Sequence, residues 1–162
     1  MKKLIDSFDV FVFDLDNTLV ITNFDYIYYL IKETINNLGG IIPDQILAKK
    51  FWYAEINGKE CVEKYFNLSF HEFWKLFREE DKAKERVKYT KVIDGVNSTL
   101  QFLKDNGKEI AIITNAYPSV AVAEIRMLEI DFSEDKDKIL ATGGDGNPIY
   151  NPKPHRHCLD YL

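Results

Sequence analysis

The pattern of apolar and polar segments predicts short strands that alternate with helices. Apolar runs at residues 10–13, 110–113 and, more weakly, 138–142 each end in polar residues or glycines, which is typical of buried parallel strands. Helical spacing of apolar residues starts at Val96, before the second run, and this helix is expected to stop at Gly107. Another helix is predicted at residues 119–128. This order predicts an α/β fold with a Rossmann-like, doubly wound parallel sheet.

Residues 23 to 89 follow a different pattern, in which helical periodicity is not interrupted by a strand. The first helix is expected to stop at Gly39, and Ser69 followed by Glu72 is a capping-box signature. A strand-to-strand crossover needs only about a dozen residues. The pattern therefore predicts an all-helical subdomain at residues 23–89, inserted into a core formed by residues 1–22 and 90–162. The charged run at residues 78–86 is interpreted as a solvated helix face.

Composition narrows the class of protein. The hydrophobic content of 46% and aromatic content of 14% suffice for a packed core, and the net charge of −5 without a basic run argues against non-specific nucleic-acid binding. No apolar stretch approaches the roughly 20 residues that span a bilayer. Cys61 and Cys158 are too far apart for a zinc knuckle or a disulfide framework. We therefore expect a cytoplasmic protein that is not bound to a membrane.

Two aspartates directly after the first predicted strand are candidates for catalysis. Asp14 and Asp16 are separated by one residue, and ligands of open α/β sheets bind beyond the carboxyl ends of the strands. One carboxylate there can attack as a nucleophile while the other transfers a proton. The pair can also share Mg²⁺ with phosphate oxygens. The structural alternative is an Asx-type turn that merely ends the strand.

Two further segments contain candidate phosphate-binding residues. Thr114 and Asn115 end the second predicted strand just before a helix, where a hydroxyl and backbone N–H groups can hold a phosphate. Lys153 lies between two prolines, and its charge could neutralise a carboxylate–phosphate pair. Taken singly, Thr114 and Asn115 also fit an ordinary turn, and Lys153 also fits a surface lysine.

Together, these segments resemble the motifs of the haloacid dehalogenase-like superfamily of Mg²⁺-dependent phosphohydrolases. FVFDLDNTL at residues 11–19 is similar to the first motif, and residues 94–116 are similar to the family's helix and second motif. Lys153 and Pro154 resemble the third motif. The helical stretch between the first two motifs resembles the family's C1-type cap, whose sequence is variable.

The resemblance implies a role for each candidate residue. Asp14 would be the nucleophile that forms an aspartyl-phosphate, and Asp16 would be the general acid and then the base. The Asp14 carboxylate and the Asp16 backbone carbonyl would bind Mg²⁺. Thr114 and the Asn115 backbone would hold the phosphoryl group of a small phosphorylated substrate, and Lys153 would offset its charge. These roles agree with the dominance of positioning and charge stabilisation in phosphoryl transfer.

Other functions stay open at this point. The family's fourth motif, a strand that ends in acidic residues, is expected after Lys153, whereas the sequence ends at Leu162. We therefore expect a core that is incomplete at its C-terminus, with an exposed sheet edge that favours a homodimer. A catalytically weak or inactive relic that binds phosphoryl ligands or a partner is one alternative. A phosphomutase on the same scaffold is another.

Overall fold

The computed structural model describes residues 5–132 and 138–141 of the chain. Contacts between Cα atoms divide the chain into two compact units. Residues 1–21 together with residues 90–162 form the first unit, here called the sheet unit. Residues 22–89 form the second, here called the helical unit. Within the described ranges, no helix is long and apolar enough to cross a membrane.

The described part of the sheet unit is built on three parallel strands. Five strands occur among the described residues: β1 (Val10–Phe13), β2 (Val20–Thr22), β3 (Thr90–Val92), β4 (Glu109–Thr114) and β5 (Lys138–Ala141). Strands β1, β4 and β5 lie side by side in that order. Phe13 is in register with Ile112, and Thr114 with Ala141. The predicted parallel α/β sheet is therefore confirmed, and β2 pairs with β3 in a separate two-stranded sheet that was not predicted.

Burial differs between the strands that the sequence predicts to be buried. β4 is buried from Ile110 to Thr114, as a central strand with both faces covered should be. In β1, by contrast, Val10 is 37% and Val12 is 45% exposed. The prediction of a buried first strand is thus wrong for one of its two faces. β1 lies at the end of the described three-stranded sheet, where Phe11 and Phe13 pack against the core and the alternate side chains do not.

Among the described residues, two helices pack on the core of the sheet unit. They are α6 (Val96–Asp105) and α7 (Pro118–Ile125). The numbers α1 to α5 belong to the helices of the helical unit, which come earlier in the chain and are given below. The predicted stop at Gly107 is confirmed, because its φ of 71° is left-handed. Its N–H donates to the Lys104 carbonyl at 2.8 Å, and the Lys108 N–H donates to the Leu103 carbonyl at 3.0 Å. These two bonds form a Schellman motif.

The core of the sheet unit joins the strands to these helices. Leu100 of α6, Ala121 of α7 and Ile110 and Ile112 of β4 are fully buried in one apolar cluster. Leu15, directly after β1, is fully buried in the same cluster. The residue between the two candidate aspartates is therefore an anchor that fixes the end of β1 to the core.

The helical unit is a bundle of short helices around an aromatic core, as its periodicity predicts. Phe51, Phe66 and Phe73 lie with ring centroids 5.2 to 5.8 Å apart, and edge-to-face and stacked aromatic pairs add stability beyond area burial. Its helices are α1 (Phe24–Asn37), α2 (Gln45–Trp52), α3 (Gly58–Glu60) with a π-helical turn at Cys61–Tyr65, α4 (Phe70–Glu80) and α5 (Ala83–Arg86), followed by a 3₁₀ turn at Val87–Tyr89.

Helix ends in this unit follow their local sequence signals. The Ser69 hydroxyl accepts the Glu72 N–H at 3.4 Å, which confirms the predicted cap of α4. Asp44 caps α2 by accepting the Leu47 N–H at 2.8 Å. Gly39 ends α1 with a φ of 73°, as its position in the sequence predicts.

The charged run at residues 78–86 differs from its interpretation as a solvated helix face. α4 ends at Glu80, and the chain turns so that Asp81 and Arg86 are both buried. Arg86 Nη1 donates to Asp81 Oδ2 at 2.9 Å, and the Tyr26 hydroxyl donates to Asp81 Oδ1 at 3.3 Å. The Arg86 guanidinium also lies 5.8 Å from the Trp52 ring centroid. Burial is tolerated because each charge faces an opposite charge or a polar partner.

Candidate functional site

Asp14 and Asp16 lie immediately beyond the carboxyl end of β1. Asp14 is exposed, and its Oδ1 accepts the Leu15 N–H at 2.8 Å. Asp16 is partly buried and forms an isolated parallel bridge with Val20. Because Leu15 between them is buried in the core, both carboxylates are attached to a fixed stretch of backbone.

A tight turn follows Asp16 and returns the chain to β2. The Leu15 carbonyl accepts N–H groups from Leu19 at 2.9 Å and from Val20 at 3.1 Å, and the Asn17 N–H donates to the Val20 carbonyl at 2.7 Å. Asn17 has a φ of 60°, a conformation that asparagine tolerates better than most residues. The role of Asn17 was missed from the sequence, although an asparagine directly after a strand-ending aspartate is a turn signal.

Thr114 connects the end of β4 to the second aspartate. Its side chain is fully buried, and its Oγ1 lies 3.5 Å from Asp16 Oδ2, to which it donates. The same Oγ1 accepts the Ala116 N–H at 3.0 Å. β1 and β4 are parallel neighbours, so their carboxyl ends meet at the same edge of the sheet. The geometry therefore brings the first and second candidate segments together.

Asn115 and Lys153 are the other two predicted site residues. Asn115 is exposed directly after β4, at the start of the turn that leads to α7. Lys153 lies outside the described residues, and so does the region in which the fourth motif was expected. The structure thus places four of the five candidate residues at the carboxyl edge of one sheet.

The donor set at this edge suits a magnesium ion that is shared with a phosphate. Mg²⁺ is usually held by one or two carboxylates together with water and substrate phosphate oxygens. Asp14 and Asp16 supply carboxylate oxygens two residues apart. In the described part of the chain, no three His, Cys, Asp or Glu residues cluster in a way that could hold a metal ion by themselves. The two carboxylates fit a metal whose coordination is completed by water and a substrate phosphate.

Comparison with known proteins identifies the family. A profile of the haloacid dehalogenase-like hydrolases matches residues 8–161, nearly the whole sequence. The chain therefore belongs to the haloacid dehalogenase-like hydrolase family, as the motif resemblance predicts. None of the curated proteins compared with the chain matches it.

Solved structures show the same fold at low sequence identity. A predicted phosphoglycolate phosphatase from Haemophilus somnus has a TM-score of 0.64 at 22% identity, over 96% of this chain and 70% of the other. A candidate phosphatase from Clostridium difficile has a TM-score of 0.62 at 22% identity, over 86% of this chain. The match spans 63% of the length of that protein. A candidate β-phosphoglucomutase from Thermotoga maritima has a TM-score of 0.51 at 19% identity, over 86% of this chain and 64% of the other.

Proposed function

We propose that the chain is a Mg²⁺-dependent phosphohydrolase that cleaves small phosphorylated metabolites through an aspartyl-phosphate on Asp14. The observation that carries this proposal is the 3.5 Å approach of Thr114 Oγ1 to Asp16 Oδ2, beside Asp14, at the carboxyl edge of adjacent parallel strands. Membership in the hydrolase family supports the same chemistry. So do the phosphatase assignments of the two structural neighbours from Haemophilus somnus and Clostridium difficile.

The first half-reaction transfers the phosphoryl group to the protein. A carboxylate oxygen of Asp14 attacks phosphorus, a new O–P bond forms, and the bond between phosphorus and the leaving oxygen breaks. Protonated Asp16 donates its proton to that leaving oxygen, which departs as an alcohol. Asp14 suits the nucleophilic role because it is exposed, whereas Asp16 is partly buried beside a hydroxyl.

The second half-reaction restores the nucleophile. Asp16, now a carboxylate, removes a proton from water while the water oxygen attacks phosphorus. The bond between phosphorus and the Asp14 oxygen breaks, and inorganic phosphate is released. Both steps use the same proton site, as microscopic reversibility requires of an acid that later acts as a base.

The other candidate residues would bind and neutralise the phosphoryl group. Thr114 holds Asp16 in place in the structure, and its hydroxyl would turn to a phosphoryl oxygen in the complex. The Asn115 backbone N–H and the Lys153 amine would bind the remaining oxygens. Asp14 and the Asp16 backbone carbonyl would hold Mg²⁺, which when bound offsets the phosphate charge that repels the incoming carboxylate.

The helical unit would select the substrate. We propose that residues 23–89 are a cap inserted into the α/β core formed by residues 1–22 and 90–162, and that the protein acts in the cytoplasm. The support is the all-helical content of residues 24–89 up to the start of β3, together with the helical caps that are frequent at this position in the family.

The decisive experiment measures hydrolysis of an aryl phosphate with Mg²⁺ by the full chain. Wild type should release phosphate, Asp14→Asn should not, and Asp131→Asn should behave as wild type because that residue is exposed beyond α7. Borohydride should trap a reducible acyl-phosphate in wild type alone. Equal release by wild type and Asp14→Asn would refute hydrolysis through Asp14.

A phosphomutase is the second candidate, and the structural match to a candidate β-phosphoglucomutase favours it. In that reaction, the aspartyl-phosphate would pass to a sugar hydroxyl instead of to water. Interconversion of sugar-phosphate isomers without net phosphate release would identify it. A rise in Tm with Mg²⁺ and beryllofluoride, without turnover of either kind, would instead indicate a non-catalytic phosphoryl-binding protein.

A further inference from the structure

The helical unit contains a cavity lined by residues between Asn23 and Tyr89. Its volume is about 580 Å³, within the range of roughly 300 to 1,000 Å³ that is common for small-molecule sites. Three tyrosines form much of its wall: Tyr26, Tyr29 and Tyr89. The Tyr26 and Tyr89 rings stack with their centroids 4.6 Å apart, so this part of the wall is rigid. Tyr29 also lines the cavity and is 53% exposed, so its ring is accessible from solvent.

Three of the other lining residues are acidic, and Asn23 and Leu30 complete the wall. The acidic residues are Asp25, Glu80 and Glu85, and no lysine or arginine among the described residues lines the cavity. The carboxylate of Glu80 is held by two neutral donors, the Thr34 hydroxyl and the Asn37 amide, each at 2.6 Å. These two hydrogen bonds fix the position of the Glu80 carboxylate without a cationic donor.

Charges and helix dipoles around the cavity leave an excess of negative potential. Glu85 is paired with Lys88, whose Nζ lies 2.7 Å from its Oε1, so this pair is neutral. Asp25 lies in the first turn of α1 and offsets the positive end of that helix. Glu80 is the last residue of α4, where the carbonyl end of the helix adds to its negative charge.

We propose that this cavity binds an organic cation, a primary or quaternary ammonium compound with a small apolar body. Aromatic rings attract a cation through their quadrupoles, while the Glu80 carboxylate supplies the opposite charge. A hydrated inorganic ion gains little from aromatic rings, and an uncharged apolar molecule gains nothing from the carboxylates. The tyrosine rings and the carboxylates together therefore favour a ligand that has both a positive charge and an apolar body.

Titration calorimetry of the full chain with choline tests the charge requirement. The matched control is 3,3-dimethylbutan-1-ol, in which carbon replaces the ammonium nitrogen at nearly the same shape. Choline should bind saturably and at least about tenfold more tightly than the neutral analogue. Equal affinity for both compounds, or no saturable binding of choline, overturns the proposal.

Variants of Tyr29 and Glu80 locate the binding site. Tyr29→Ala should weaken choline binding by roughly two- to thirtyfold, the range of a cation–π contact, whereas Tyr29→Phe keeps the ring and should bind as wild type. Glu80→Gln keeps a hydrogen-bond acceptor but removes the charge, and should weaken choline without changing the neutral analogue. Tyr65→Ala is the control, because Tyr65 is also half exposed in this unit but does not line the cavity.

The Asp14→Asn variant separates this proposal from the proposed function. Because the measurement is of binding alone, Asp14→Asn should bind choline as wild type does even though it no longer hydrolyses phosphate esters. If the tyrosine and glutamate variants bind choline as tightly as wild type, the cation binds elsewhere and the assignment of this cavity is wrong. Those results are independent of whether the chain turns over a phosphate ester.

Discussion

The hydroxyl of Thr114 lies 3.5 Å from Oδ2 of Asp16, although the two residues are 98 positions apart in sequence. The contact exists because β1 and β4 are adjacent and parallel, so that the residues following their carboxyl ends converge. The same hydroxyl accepts the Ala116 N–H at 3.0 Å. One buried side chain thus connects the proposed acid after β1 to the turn after β4. The position of the Asp16 carboxylate should therefore depend on Thr114.

Replacing Thr114 by valine should impair both turnover and stability. Valine keeps the shape but removes the hydroxyl, which leaves the Ala116 N–H without this acceptor at a cost of about 1 to 3 kcal/mol. Turnover of an aryl phosphate should fall much further than in Thr114→Ser, which retains the hydroxyl. Steady-state kinetics and urea unfolding of the two variants check this. A folded Thr114→Val with wild-type turnover would show that the hydroxyl does not contribute to catalysis.

Gly40→Ala should destabilise the helical unit because no room exists for a methyl group. An added Cβ would lie 2.6 Å from the Phe66 carbonyl oxygen and 2.7 Å from Leu68 Cγ. Overpacking of this kind costs about 1 to 3 kcal/mol. Gly58→Ala is the matched control: its nearest contact would be Phe51 Cε2 at 3.6 Å, and alanine in a helix should be neutral or stabilising. Urea unfolding of both variants should give these opposite results, and equal effects would contradict the packing at Gly40.

Local signals explain why much of the fold was predictable. The apolar run before Asp14 predicts β1, the capping pattern at Ser69 predicts the start of α4, and Gly107 predicts the end of α6. Each of these depends on residues within a few positions along the chain. The convergence of Asp16 and Thr114 was implied by the family resemblance, which assigns both residues to one phosphoryl site.

Features that depend on distant packing were not predictable. The alternation of exposed and partly buried residues in β1 depends on what covers each face of the sheet, and a uniformly apolar run carries no sign of it. The burial of Asp81 and Arg86 depends on a turn after α4 and on Trp52 and Tyr26, which are more than 25 positions away in sequence. A run of charged residues has the same sequence pattern whether its side chains are solvated or form a buried ion pair, so the pattern does not predict the burial.

The buried Asp81–Arg86 pair should contribute much more to stability than an exposed ion pair. Arg86→Met removes the cation that lies 2.9 Å from the buried Asp81 carboxylate, and breaking a buried pair in this way costs about 3 to 5 kcal/mol. Lys88→Met removes the exposed partner of Glu85 and should cost at most about 1 kcal/mol. The two pairs have similar N–O distances of 2.9 and 2.7 Å. The expected difference in stability therefore comes from burial and not from distance. Guanidinium unfolding curves of the two variants should differ accordingly, and equal midpoints would contradict the burial of Arg86.

Tyr26 should make the stability of the protein fall steeply in alkaline solution. Burial, the Asp81 charge and the hydrogen bond to Asp81 raise the pKa of the Tyr26 phenol above its ordinary value of 10.0. The unfolded chain then loses this proton before the folded chain does, so the contribution is fully present below pH 10 and is lost as the pH rises above it. The loss should approach about 1.4 kcal/mol per pH unit above the unfolded pKa. Tyr26→Phe should remove this component of the slope, while Tyr65→Phe, at a half-exposed tyrosine, should leave it unchanged. Unfolding free energies measured on either side of pH 10 test the difference, and parallel curves for wild type and Tyr26→Phe would mean that the phenol titrates normally in the folded protein.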